Sequence, residues 1–233
     1  MVVSGDVGAN IGLHRVVVRI GREVHMLDAS SKVVGDTIRL GNGAHVYDVH
    51  YNELINPQGT IMGSEFTPLA IPVLTLPALP TITPGATAIV VAPRHTHILD
   101  AGHYDEITVR AQGTLILTGG IYHISCLRLH ELAQVLCKMP SEIRVRDWVH
   151  TEARATIGPD LTVLQPPTAA EIVFLVAGCD NAVHIGKQNT ILANLYAPNG
   201  DVTLLEKTQG TGAFIGDQVL IGQRVELTLD SAF

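Results

Sequence analysis

The sequence predicts an all-β fold, a right-handed parallel β-helix (β-solenoid), and three observations lead there. β-Branched residues are abundant: 25 Val, 20 Ile and 20 Thr occupy 65 of the 233 positions and favour extended backbone. The 22 Gly and 12 Pro divide the chain into many short segments. Apolar runs also recur with a period: Gly21 to Gly41 is 20 residues, Gly41 to Gly59 is 18, Ile185 to Leu204 is 19 and Leu204 to Ile221 is 17. A strand of about five residues at roughly 3.3 Å per residue makes a wall of about 17 Å, so three walls and their turns need about 18–24 residues. That is one coil of a solenoid. A β-sandwich would need frequent hairpin turns, but Asn-Gly occurs only at Asn42-Gly43 and Asn199-Gly200, where it reads as a coil corner.

Taken in order, VVVRIGREVHML (16–27), DTIRLGNGAHVYDV (36–49) and NPQGTIMG (56–63) read as N-terminal coils. Residues 64–85 break the beat with five prolines (Pro68, Pro72, Pro77, Pro80 and Pro84), and proline lacks the N–H that a ladder needs. They are expected to form an extended connection packed along or between the N- and C-terminal parts of a single domain spanning 1–233, with a flexible linker between two domains as the alternative. LRLHELAQVL (127–136) has helical propensity, but its neighbours ISC and CKM suit strands, so it reads as solenoid. ATIGPDLTVLQPPTAAE (155–171) is expected to protrude as a loop. Residues 182–200, 201–216 and 217–230 return to the period. Alternation predicts inward-facing Ile185, Leu204, Val219, Ile221, Val225, Leu227 and Leu229, with bends at Gly186, Gly200, Gly216 and Gly222.

Composition excludes several functions. The net charge is −7 and Lys or Arg are nowhere concentrated, which argues against a nucleic-acid footprint or an anionic-membrane patch. No run reaches the 18 apolar residues of a membrane span, and MVVSGDVGAN lacks the regions of a signal peptide. Of three cysteines, Cys126 and Cys137 are candidates for a bridge, with buried free thiols as the alternative.

The segment ANLYAPNGDVTLLEKTQGTGAFIGDQVLIGQRVELTLDSAF (193–233) resembles the closing module of a family of secreted bacterial parallel β-helix surface proteins, whose pattern runs APNG, GAFIG, then V.IG..V.LTLDSAF. GTLILTGGIYHISCLRL (113–129), the early GDVGAN and IRLGNGAHVYDV look like that family too. The resemblance implies a solenoid fold and export, with an extracellular or cell-surface location, and implies little about chemistry. The sequence departs from the pattern at LCKMPSEIRVRDWV.

Candidate chemistry is sparse. His95, His97 and His103 form the tightest histidine group, and His95 and His97 at i and i+2 would share one face of a strand and could hold a transition metal. The competing reading makes them turn residues after Pro93. His130-Glu131 fails the zinc-protease spacing, because position 134 is Gln. Asp100, Asp105, Glu106, Asp147, Glu152 and Asp160 are the acids available to a polysaccharide-cleaving enzyme, but no acid motif recurs at the coil interval and Trp148 is the only tryptophan. No triad, phosphate loop or calcium nonapeptide is present. No catalytic residue and no cofactor are therefore assigned. Both termini read as strand without a capping helix, so the expected partner is a second copy of this chain, with a cell-surface polysaccharide as the alternative.

Overall fold

In the computed structural model, which describes residues 3–4, 7–8, 17–26, 31–56, 58–69 and 77–232, the chain is a parallel β-solenoid. Every strand pairing is parallel, and the only helical element is the short 3-10 turn Ala169–Glu171 among the described residues. Three walls carry the coils. Wall A contains Thr96–Leu99, Thr114–Leu117, Gln134–Cys137, Thr156–Pro159, Thr190–Leu192, Gln209–Thr211, Glu226–Thr228 and Val3–Ser4 in spatial order. Wall C contains ten strands, from Ile89–Val91 at one extremity to Glu53–Ile55 at the other. Nine spacings of about 4.8 Å give a rod of roughly 43 Å. Wall B lies between them; Gly120–Leu129 and Ser141–Thr151 run through walls B and C without a break in the strand.

The order of coils in space is not their order in sequence. The last wall C strand of the C-terminal part, Val219–Ile221, pairs with Val17–Ile20, placing Leu220 opposite Arg19 and Ile221 opposite Ile20. Glu226–Thr228 likewise pairs with Val3–Ser4. The first and last described strands therefore meet inside the rod. Its open extremities are instead the coil beginning at Ile89–Val91 and the coil formed by Glu53–Ile55, Thr60–Ile61 and Glu65–Phe66. The expectation that the first and last residues form the exposed ends is thus corrected: each finds a partner in the other.

The connection expected at 64–85 begins later than the sequence suggests, because Glu65–Phe66 is a wall B strand paired with Val49 and His50; its described parts are 67–69 and 77–85. The middle of the proline-rich stretch (70–76), with Pro72, lies outside the described residues. Its last part rests on the outer face of wall B, where the Tyr196 hydroxyl donates to the Pro77 carbonyl (2.6 Å) and the Thr83 N–H donates to His123 Nδ1 (3.1 Å). Under this strap, Tyr196 and its register partner Leu175 are buried although they point away from the rod axis. A wall covered on both faces has no reason to alternate, hence the continuous apolar run IVFLV and the fully buried strand NLYA.

The core is a stack of Val, Ile and Leu. Ile185, Leu204, Val219, Ile221, Val225 and Leu227 are all buried, whereas Leu229 is 51% exposed and does not continue the inward series. Most coils run from 15 residues (His45 to Thr60) to 22 (Gln134 to Thr156), with longer ones of 26 (Val7 to Val33) and 34 (Thr156 to Thr190) among the described residues. The longest of these holds the protrusion, which is shorter than its sequence suggests: Thr156–Pro159 is a wall A strand, and the loop begins at Asp160. All three cysteines are free, since Cys126 lies on wall C and Cys137 on wall A.

Two features shape the corners between walls C and A, a close glycine contact in some coils and a left-handed residue in successive ones. Gly41 lies against Gly21, and Gly21 against Ile221 and Gly222, so closely that an added Cβ would sit 2.7–2.9 Å from backbone atoms. One residue per coil adopts the left-handed conformation: Arg94, Gln112, Leu132, Arg154, Gln188, Lys207, Arg224 and Glu23, with φ from 53° to 61°. This conformation costs a non-glycine residue about 1–2 kcal/mol. It aims each N–H at the next coil: Gln112 donates to the Glu131 carbonyl, Leu132 to Ala153, Arg154 to Lys187 and Gln188 to Glu206.

Candidate interface at the rod ends

The extremity that starts at Ile89–Val91 is built from the strands Ile89–Val91 and Thr96–Leu99 and the Pro93–His95 turn. Strand register shows which side chains close the core. Leu115 and Val135 are inward and buried, and the same column ends in His97, which pairs with Leu115 and is exposed. A basic, imidazole-bearing residue thus finishes an aliphatic column. Around it, Val90 is 63% and Ile98 55% exposed. Arg94 Nε donates to the Gln112 side chain (2.6 Å), and His95 Nδ1 donates to the Pro93 carbonyl (2.9 Å).

The opposite extremity has the inverse character. On wall B the inward column of Val33 and Val49 ends in Glu65, which pairs with Val49 and is exposed. The Tyr51 hydroxyl donates to Glu65 (2.6 Å), and this bond raises the Tyr51 pKa. Glu53 on wall C accepts from the Thr37 hydroxyl (3.2 Å). Phe66 stacks on His50 with ring centroids 4.2 Å apart, and Ile55, Met62 and Phe66 are exposed. Glu53 and Glu65 are the charged residues of this coil (51–66).

The three histidines singled out in the sequence are not brought together as ligands. His97 caps the core, His95 is held in the preceding turn, and His103 lies on wall B, stacked on His123 at 4.4 Å. His103 Nδ1 donates to the Thr83 carbonyl (2.5 Å), whereas His123 Nδ1 accepts from the Thr83 N–H, so the stacked rings hold opposite tautomers and together clasp the strap. Burial, with help from His103 and Arg144, keeps the His123 pKa below its ordinary value. The described residues contain no group of three or more His, Cys, Asp or Glu side chains placed to hold a metal ion.

The acids are more ordered than the sequence suggests. Asp105, Asp147, Asp180, Asp217 and Asp36 stand between or beside wall B and wall C strands, but Ser125 and Gly200 take that place in intervening coils, so no acid recurs at every coil. Most have local partners: Asp105 accepts from Ser125 (2.7 Å), Asp36 from Asn52 (2.7 Å), and Arg146 pairs with Asp147 (2.9 Å). Asp201, on the adjoining strand, has a raised pKa because of burial and then the neighbouring Asp217 and Asp180. Elsewhere on wall C, the Arg128 guanidinium lies over the Trp148 ring at 5.1 Å, beside His150 and His184. An interior void lined by Ile107, Leu117, Tyr122 and Phe174 measures only about 10 Å³, too small and too apolar for a ligand.

No protein-family model, curated protein or solved structure matches this chain. No helix among the described residues is long and apolar enough to cross a membrane.

Proposed function

We propose that this protein is an extracellular structural protein, a self-associating β-solenoid building block of a surface filament, matrix or adhesive layer. The observation that carries the reading is a rod whose two terminal coils have no strand partner on their outer edge and no capping helix among the described residues, with exposed Val90 and Ile98 at one end and Ile55 and Phe66 at the other. Natural solenoids normally cover such ends, because open N–H and C=O groups recruit further strands. The likeness of residues 193–233 to secreted surface proteins supports export. Purified protein is expected to form fibres or linear oligomers in negative-stain images, with a sedimentation coefficient that rises with concentration. A monomer at every concentration would overturn the reading.

A second reading rests on the outer face of wall C. Trp148 with Arg128, His150 and His184 offers an aromatic and polar surface to a cell-surface polysaccharide. Trp148 fluorescence would shift on titration with anionic or neutral polysaccharide if this face binds sugar, and would stay constant if it does not.

A further inference from the structure

Resting on the self-association reading, we infer that copies dock head to tail, with the Glu65 end of one copy receiving the His97 end of the next. Three observations support this polarity.

The first is directional. All strand pairings in the rod are parallel, and only a translation along the axis keeps them parallel between copies. Like ends meeting through a two-fold axis would face one another antiparallel. A head-to-tail contact is heterologous and does not close, so it propagates into a filament.

The second is that the chain already contains such a junction. Val219–Ile221 receives Val17–Ile20 with no covalent link between those coils, and Arg224 reaches Glu23 across the seam (3.8 Å). One rod face thus accepts another through parallel edges and an opposite-charge pair, the same device the free ends would use.

The third is the chemistry of the end faces. Glu65 and Glu53 dominate one; Arg94, His95 and His97 dominate the other, against Asp100, which accepts from Thr118 (3.0 Å). His97 and Glu65 each occupy an inward position on the outermost coil, where the neighbouring coil has Leu115 or Val49. An inward charge on an edge strand blocks indiscriminate pairing. Here the two guards are of opposite type, so like ends reject each other: two Glu65 faces would set carboxylate against carboxylate, and two His97 faces would bring the Arg94 guanidinium groups together. Unlike ends bring the Glu65 carboxylate of wall B and the His97 imidazole of wall A over one shared core, and stack Ile55 on Val90 along wall C.

The test uses two full-length variants, Glu65→Lys and His97→Glu, followed by sedimentation and light scattering with circular dichroism as the folding control. His97→Glu sets two carboxylates toward each other at every junction, and Glu65→Lys puts an ammonium where a carboxylate faced the Arg94 end, so self-association of each is expected to weaken by about tenfold or more. Mixed in equal amounts they offer one reversed pair and one native pair, and assembly is expected to return in 1:1 stoichiometry. Recovery on mixing also excludes misfolding of either variant. If the unmodified protein assembles and both variants assemble equally well alone, the head-to-tail polarity is overturned while self-association stands. If the unmodified protein does not assemble at all, both fail.

Discussion

Replacing Ile221 by Asp is expected to detach the N-terminal coils. Ile221 is 2% exposed and packs between the register partners Leu204 below and Ile20 above, so it belongs to both sides of the seam. Removing its buried aliphatic surface costs about 2–5 kcal/mol, including the cavity left behind. Placing a carboxylate there adds several kcal/mol more, whether the group stays ionised without a partner or takes up a proton. A sum of at least about 5 kcal/mol equals the whole stability of many domains, but solenoid coils depend on their neighbours, so the loss falls locally. Hydrogen exchange should therefore show amides of residues 17–66 losing protection while those of 106–176 keep theirs, and urea unfolding should split into two steps. Leu220→Asp, at the adjacent outward and 39% exposed position, serves as the control and should change stability by less than about 1 kcal/mol. Equal behaviour of the two variants, or uniform loss of protection along the rod, would refute the reasoning.

Acidification should loosen the strap: His123 has a depressed folded-state pKa, so its contribution to stability is complete above about pH 6.5, the unfolded value, and is lost as pH falls through the folded value. The melting temperature should drop between pH 7.5 and 5, and His123→Gln, which keeps an acceptor but cannot titrate, should remove part of that drop; a rise on acidification would contradict the clasp. Tyr196→Phe deletes the hydrogen bond to Pro77 and should cost about 1 kcal/mol while making residues 67–85 easier to nick with protease. Gly41→Ala, which forces a Cβ onto the Gly21 backbone at 2.7 Å, should destabilise more than Gly43→Asn, where the left-handed backbone (φ 70°) suits Asn and the space is open; chemical denaturation ranks the two. Native-state alkylation should label exposed Cys179 and spare Cys137, whose pKa burial pushes up to about 12, and mass spectrometry should find no bridge between Cys126 and Cys137.

The solenoid itself was legible because coil stacking leaves a periodic trace. The 20-residue step from Gly21 to Gly41 is a real contact between successive corners. The same glycine touches Gly222, some two hundred positions away, and no reading along the chain detects that, since periodicity reports only on sequence neighbours. For the same reason the free termini looked like the rod ends. The left-handed corner ladder left no compositional signal, because its conformation is imposed by the N–H bond to the next coil and is filled by Arg, Gln, Leu and Lys rather than glycine. The His95 and His97 pair stood out in the sequence, but its place at the end of an inward column depends on register with Leu115, which only the assembled sheet supplies. The acids beside the wall B and wall C strands gave no periodic signal because Ser125 and Gly200 interrupt them and one coil of 34 residues breaks any fixed interval.

Cross-linking across the seam tests the architecture most directly. In a Cys179→Ser background, Arg19→Cys and Leu220→Cys place thiols on register partners that both face outward. Mild oxidation should join the peptides containing positions 19 and 220 within one monomer, in near-complete yield and independent of concentration. A monomer that stays reduced at these positions, with residues 1–66 instead protecting the Ile89–Val91 edge from exchange, would show coils stacked in sequence order and contradict the account.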